Sequence, residues 1–137
     1  MIAVVGAYIK RYGNLFLIRG GKETAKIKEL ERCIDESVIN LELLGVSCGY
    51  DIPSGLIVYF DDIIRTYEIF EKIIENSLES IYSLWLKVRS DDESIVFHLE
   101  IECNEEKSAF DGLADRFSEE DGAYVFTIFL RKGDERV

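Results

Sequence analysis

The spacing of apolar residues predicts three amphipathic helices in the first 80 residues. Between residues 2 and 18, apolar side chains recur at steps of three and four, which places them on one face of a helix. A second stripe begins after Thr24, a residue type suited to an N-cap, and stops at Gly45, where a glycine would close the helix. The longest stripe begins at Ser54 and ends between positions 78 and 80. Its apolar face is wide enough to lie across a sheet.

The remaining apolar residues follow the two-residue period of β-strands. The short segment 46–52 suits one brief strand. Residues 84–88 and 95–101 alternate on either side of a polar turn and predict a hairpin, and residues 124–130 predict a further strand. We expect a loop or short helix over the acidic stretch 104–121. This order of elements is typical of an α+β fold, a two-layer sandwich with the helices packed on one face of a sheet.

Composition supports one folded domain. The chain has 137 residues, of which 47% are hydrophobic and one is proline. That is sufficient for a single core without disulfides and excludes intrinsic disorder. The net charge of −11 argues against binding of nucleic acid. Residues 1–32 carry seven basic and three acidic side chains, whereas residues 100–121 carry nine acidic and two basic ones. Such unevenness is consistent with a protein partner and equally with an acidic surface that maintains solubility.

The start of the chain and the cysteines predict a cytoplasmic protein with reduced thiols. Residues 1–9 are apolar but lack the basic start of a signal peptide, and no apolar run reaches the roughly 18 residues of a membrane span. We therefore expect no membrane contact and interpret this end as a helix entered partway along, in a fragment of a longer protein. Cys33, Cys48 and Cys103 show no metal-ligand spacing with one another or with His98, the single histidine.

Three segments, at 7–15, 36–48 and 70–78, together resemble the ATP-binding domain of bacterial sensor histidine kinases, the GHKL or Bergerat fold. The first is similar to the end of their second dimerisation helix, the second to the first helix and strand of the domain, and the third to its N-box helix. The resemblance implies helices on one face of a mixed sheet. It also implies that residues 1–20 are the tail of a dimerisation helix and residues 21–137 the ATP-binding domain.

The same resemblance implies a site for Mg-ATP. Asn76 falls at the N-box asparagine that ligates magnesium in active members of the family. A helix would place Lys72, Asn76 and Ser80 on one face, with Lys72 able to meet a phosphate. Asp111 and Gly112 are the nearest match to the adenine-binding motif Asp-x-Gly-x-Gly. A carboxylate there would accept a hydrogen bond from the exocyclic amine, and the glycine would let the backbone approach the base.

The sequence departs from the family pattern at several of these positions. Lys72 and Ser80 stand where the N-box usually has a glutamate and a histidine or similar polar residue. Leu113 occupies the place of the first glycine that the adenine motif requires. About twenty residues separate the hairpin from Tyr124, too few for a glycine-rich lid with its helix. The phosphate-accepting histidine of the family lies upstream, on a helix that this chain does not include.

Other candidate residues each have two interpretations. Glu71 and Glu75, four positions apart, form a base and ligand pair in one and a solvated pair in the other. His98 is a pH-sensitive or phosphorylated group, or a half-buried residue on the outer face of the sheet beside Glu100. Trp85 and the three cysteines fit packing roles better than chemistry.

Two classes of function therefore remain open. One is the ATP-binding domain of a cytoplasmic two-component sensor histidine kinase, which would act with the upstream histidine helix and a response regulator. The other is a degenerate GHKL module without nucleotide binding, retained for dimerisation or signalling contacts. In either case the apolar helix at 1–19 needs a partner, so we expect it to pack on its own domain or on a second copy in a homodimer.

Overall fold

The helices and strands follow the predicted order, with three short strands added. The computed structural model describes Gly13, Leu15 and residues 18–133. Helix α1 spans Lys28–Leu43, helix α2 spans Phe60–Ser77, and a 3-10 helix covers Lys107–Phe110. The strands are β1 (Thr24–Lys26), β2 (Ser47–Asp51), β3 (Ile57–Tyr59), β4 (Ser83–Ser90), β5 (Ser94–Glu102), β6 (Arg116–Glu120) and β7 (Ala123–Arg131).

Five strands form one mixed sheet in the order β2-β4-β5-β7-β6. Strand β2 pairs parallel with β4, and the other neighbours pair antiparallel. Helices α1 and α2 pack together on one face of this sheet and enclose the core. The predicted α+β sandwich with helices on one face of a mixed sheet is therefore confirmed.

Apolar side chains occupy every second position along β4, β5 and β7, so one face of these strands forms the sheet side of the core. Leu86, Phe97 and Phe126 point to the helices and are fully buried, and each such side chain contributes about 1.5–3 kcal/mol when removed from water. Helix α2 covers them with Tyr67 and Phe70, which are also fully buried. The rings of Phe70 and Phe97 meet edge to face at a centroid distance of 6.4 Å. None of the described helices packs on the opposite face of these strands.

Two of the predicted helix starts are wrong. Thr24 caps no helix but begins β1, and α1 starts four residues later. Ser54 does not begin the long helix, because Ile57–Tyr59 form β3 and pair antiparallel with β1. The β-branched residues of β3 favour this extended pairing. The Phe60 N–H then donates to the Glu23 carbonyl at 2.9 Å, so the two-stranded ribbon fixes where α2 begins.

Helix α1 ends where Gly45 was predicted to close it. Gly45 has a φ of +91° and its N–H donates to the Glu42 carbonyl at 3.0 Å, as expected of a residue that closes a helix. At the other end, Glu29 and Glu31 lie in the first turn, where they stabilise the positive end of the helix dipole. Within the described ranges, no helix combines the length and the apolar character needed to cross a membrane.

The acidic stretch 104–121 contains more structure than predicted. Besides the 3-10 helix it holds β6, an edge strand that pairs with β7. Asp121 and Gly122 join these two strands with φ values of 51° and 84°. Two positive φ values are typical of the type I′ turn, for which Asp-Gly is a favoured sequence. This dipeptide was the signal for a hairpin that the alternation pattern alone did not reveal.

The described part of the N-terminal segment is helical up to Arg19. Leu15 is 1% exposed and belongs to the main core, and Arg19 forms an ion pair with Asp61 at 2.6 Å. Most of the helix predicted over residues 2–18 lies outside the described residues. The division into a helix tail at 1–20 and a domain from 21 onward stays a prediction.

Candidate functional site

An open groove runs along one side of α2, facing the segment that follows the 3-10 helix. Its volume is about 570 Å³. Its lining consists of six residues of α2, five of them charged, and two residues of the turn after the 3-10 helix: Arg65, Glu68, Ile69, Glu71, Lys72, Glu75, Gly112 and Leu113. Lys72 and Gly112, two of the four residues predicted to bind ATP, are thus brought together. Asn76 and Asp111 are not among the lining residues.

Both cations of the groove are neutralised by carboxylates of the same chain. The Lys72 ammonium lies 3.8 Å from Glu75, one turn further along α2. The Arg65 guanidinium forms an ion pair with Asp115 through both of its terminal nitrogens. Since the lining also includes three glutamates, the groove is acidic rather than basic.

Asp115 joins α2 to the edge of the sheet. Besides Arg65, it accepts a hydrogen bond from the Phe129 N–H at 2.8 Å. Partial burial acts to raise the pKa of this carboxyl, but the bonds from Arg65 and Phe129 outweigh it and hold the pKa below its ordinary value. The carboxylate therefore stays charged and keeps Arg65 engaged.

The two glutamates singled out by their i,i+4 spacing lie in different environments. Glu71 is 7% exposed and accepts a hydrogen bond of 2.6 Å from the Ser37 hydroxyl of α1. Glu75 is exposed and paired with Lys72. Glu71 therefore links α2 to α1. Because Glu71 is buried and Glu75 is exposed, the two glutamates do not form a shared ligand site.

Asn76 holds the loop between β5 and β6. Its Nδ2 donates to the Ala109 carbonyl in the 3-10 helix at 2.8 Å. Ser80 lies beyond the end of α2 at Ser77, so the shared helical face predicted for residues 72, 76 and 80 stops short of it. The Ser80 hydroxyl instead donates to Glu105 at 2.5 Å and accepts from the Asn104 N–H at 3.1 Å. Asn76 and Ser80 thus both fasten the 104–110 segment.

Asp111 and Gly112 form an exposed turn. Gly112 has a φ of +75°, which favours glycine, and Asp111 is exposed to solvent. Phe110, directly before them, is fully buried. Its ring lies 5.1 Å from the Tyr124 ring and 5.4 Å from the Phe126 ring. This aromatic cluster occupies the space behind the turn and anchors it to the sheet.

His98 and Trp85 lie on the outer face of the sheet. The His98 Nε2 is 3.0 Å from a carboxylate oxygen of Glu100, which confirms the outer-face interpretation. The Trp85 ring covers Gly49 of the neighbouring strand: a Cβ built on Gly49 would lie 2.7 Å from the ring. Both residues are remote from the groove.

The cysteines have the packing roles that the sequence favoured. Cys48 and Cys103 are free thiols, and Cys33 is buried in the core. Burial, with help from the nearby Glu42 charge, raises the pKa of Cys48 to about 11. Burial also raises the pKa of Cys103. Neither thiol is therefore ionised near neutral pH, as a nucleophile would need to be.

Sequence reasoning missed Arg65, Glu68, Ile69 and Leu113 as lining residues. The first three lie seven, four and three positions before Lys72, on the same face of α2. The helical spacing of three, four and seven residues before Lys72 was the signal that could have identified these three.

The cations of the groove are engaged within the chain, whereas binding of Mg-ATP through Asn76 stays a prediction. Within the described ranges, no group of three or more His, Cys, Asp or Glu side chains is arranged to hold a metal ion. The Asn76 Nδ2 donates to the Ala109 carbonyl, and this bond does not use the Oδ1 that would ligate magnesium. The cations of the groove are already paired. A triphosphate needs unpaired donors and positive charge around it.

No family model and no curated protein matches this sequence. Solved structures do match its fold. The histidine kinase AdeS of Acinetobacter baumannii is 10% identical, with 93% of this chain and 76% of that chain covered at a TM-score of 0.57. The catalytic domain of histidine kinase ThkA, in a nucleotide-free form, is also 10% identical. Here 82% of this chain and 97% of that chain are covered, at a TM-score of 0.61.

A second nucleotide-free form of the ThkA catalytic domain gives a TM-score of 0.53. All these matches extend over at least 80% of the present chain. The chain therefore has the fold of a histidine kinase catalytic domain, the GHKL-type α+β sandwich.

Proposed function

We propose that this chain serves histidine-kinase-type signal transduction as a GHKL module that acts through protein contacts and does not use Mg-ATP. The observation that carries the proposal is the internal use of the polar groups around the groove. Lys72 is paired with Glu75, Arg65 with Asp115, and Asn76 with the Ala109 carbonyl. A nucleotide would have to displace Glu75 from Lys72 and Asp115 from Arg65 to reach the two cations.

The charge of the groove supports the same proposal. Glu68, Glu71 and Glu75 all line it, and the whole chain carries a net charge of −11. A nucleotide triphosphate is itself strongly anionic, so its entry would be opposed by like charges at short range. Gly112 is the one glycine among the described residues that line the groove, whereas a glycine-rich loop would supply a row of backbone N–H donors.

The Mg-ATP-binding domain of a histidine kinase is the second candidate. It is favoured by the common groove of Lys72 and Gly112, which lies between the N-box-like helix and the turn at Asp111. On this alternative Lys72 would contact phosphate, Asn76 would ligate magnesium, and Asp111 with Gly112 would contact adenine. A histidine on an upstream helix and a response regulator would be the further partners.

Both candidates place the domain in the cytoplasm, and in both the N-terminal helix would pair with a second copy. The two candidates differ in whether the groove binds a nucleotide. The proposal is therefore tested at the groove.

Isothermal titration calorimetry with Mg-ATP and with a non-hydrolysable analogue separates the candidates. We expect no saturable heat at millimolar nucleotide for the wild-type chain. Lys72→Ala and Asn76→Ala should behave identically, and Asn40→Ala on α1 is the matched control for the amide substitution. Micromolar binding that disappears in Asn76→Ala but persists in Asn40→Ala would overturn the proposal in favour of the second candidate.

A further inference from the structure

The helix-free face of the sheet, here called the outer face, is charged in an ordered way. Strand register places its side chains in rows that run across the strands. The rows at one end, here called the basic end, carry three cations, Lys87, Arg89 and Arg116, and one carboxylate, Asp51, beside Lys87 on the edge strand. The rows at the other end, here called the acidic end, carry three carboxylates: Glu100, Glu102 and Glu120. The 3.0 Å contact between His98 and Glu100 lies at the boundary between them.

The cations of the basic end have no ion-pair partners. Across the part of the chain that the structure describes, no carboxylate oxygen lies within 4.0 Å of their charged nitrogens. This is notable because the chain has 27 acidic residues for 16 basic ones. Elsewhere Arg19, Arg65 and Arg131 each hold a carboxylate. The basic end is thus a place where positive charge stays available to a partner.

Two aromatic side chains project from the same face. Trp85 is 46% exposed and Phe129 is 36% exposed, although both are large and apolar. Val96 and Val125, on the same side of β5 and β7, are almost fully buried around them. The Trp85 ring is seated over Gly49, where no larger residue would leave it room. Each end of the face therefore carries one exposed ring: Phe129 lies in the row of Arg89, and Trp85 lies in the row of Glu100.

We propose that the outer face of the sheet binds the same face of a second copy of this chain. A two-fold axis that runs across the strands turns the basic end of one copy onto the acidic end of the other. One surface patch used twice is the defining property of such an interface, and here the charges complement one another in both halves. The same rotation lays the Trp85 row of each copy over the Lys87 row of the other, so that Trp85 becomes buried.

A second copy satisfies this face better than an unrelated acidic partner. An acidic peptide would match Lys87 and Arg89, but it would extend over the acidic end one or two rows away and meet like charge there. Face-to-face packing of two sheets is also a common arrangement, with side chains from both interleaved in a layer about 10 Å thick.

The size of the face predicts a weak dimer. Five strands and four rows of side chains cover roughly 20 Å by 20 Å. Such a patch would bury on the order of 1,000 Å² from both copies, at the low end of specific interfaces. We therefore expect association that depends on concentration and weakens as salt screens the charges.

The test uses Trp85 as its own probe, because it is the single tryptophan of the chain. Sedimentation and tryptophan emission are measured together from micromolar to millimolar protein. Wild type should form dimers with a blue shift of the emission. Lys87→Glu/Arg89→Glu and, separately, Glu100→Lys/Glu102→Lys should each weaken association about tenfold or more, since each places like charge against like.

Mixing the two double variants gives the decisive result. Each carries one reversed end, so a one-to-one mixture should restore the dimer and the blue shift as a heterodimer. Lys26→Glu/Lys28→Glu makes the same charge change at exposed positions away from the sheet and is the control. A wild-type monomer at millimolar protein, a dimer unaffected by the reversals, or a mixture that stays monomeric would each overturn the proposal. Circular dichroism establishes that the variants are folded.

Discussion

The cations on the groove side of the molecule are paired with carboxylates of the chain, whereas those at the basic end of the outer face are not. Along the groove, Lys72, Arg65 and Asn76 all have internal partners. On the outer face, Lys87 and Arg89 have none among the described residues. The difference teaches that charged and polar groups lining a groove can be engaged by the fold itself, while unpaired charge marks the surface left for partners. Four substitution experiments can break or sharpen this comparison.

The largest expected effect concerns the aromatic cluster behind the groove. Phe110→Ala removes a fully buried ring, and we expect it to lower the free energy of unfolding by about 3–5 kcal/mol. Phe129→Ala on the outer face is the matched control and should cost less than about 1 kcal/mol. Urea denaturation measures both. Equal decreases in the free energy of unfolding for the two variants would contradict the distinction between the buried cluster behind the groove and the exposed outer face.

The second effect concerns the bond between the two helices. Ser37→Ala removes the hydroxyl that donates to buried Glu71 at 2.6 Å, and the loss should be about 1–3 kcal/mol. Ser90→Ala, at an exposed position, is the control and should change stability little. Thermal unfolding of the two variants decides the matter, and indistinguishable midpoints would show that Glu71 is not a structural residue.

The third effect concerns the asparagine that the family resemblance placed on magnesium. Asn76→Ala removes the bond to the Ala109 carbonyl, so the free energy of unfolding should fall by about 1 kcal/mol. The 104–110 segment should also become more open to amide hydrogen exchange. If exchange there is unchanged relative to Asn40→Ala, the fastening role of Asn76 is wrong.

The smallest effect concerns Asp115 and depends on pH. Because the folded-state pKa of Asp115 is lowered, its ion pair stabilises the fold above the ordinary carboxyl pKa and is lost as pH falls through the lowered value. Arg65→Met should therefore cost about 0.5–1 kcal/mol at pH 7, a small amount because Arg65 is partly exposed. The difference from wild type should shrink toward pH 3. A difference that grows in acid would contradict the assignment.

Much of the fold could be predicted from the sequence, since periodicity reports which face of an element is buried. The hairpin of β4 and β5 and the end of α1 at Gly45 were predicted correctly. The ribbon of β1 and β3 was not, because three-residue strands are too short for a period to show. Their pairing joins segments more than thirty residues apart, and that contact is invisible to local patterns.

Less of the site could be predicted. Spacing on a helix brought Lys72 to the groove but could not show that Asn76 turns its amide to Ala109. That bond depends on the 3-10 helix, whose position is fixed by the burial of Phe110 against the sheet. Hydrogen bonds of this kind depend on tertiary structure. A sequence motif therefore shows which residues are present but not which groups their side chains contact.

The most direct test of the account follows the Asn76 side-chain amide itself. Two-dimensional ¹H–¹⁵N spectra are recorded while Mg-ATP is added to the wild-type chain at millimolar concentration, with the Gly112 backbone amide as a second reporter. The account predicts that both resonances stay in place, because the amide remains bonded to Ala109 and the groove stays empty of nucleotide. Saturable shifts of both resonances would contradict it and restore this groove as an ATP site.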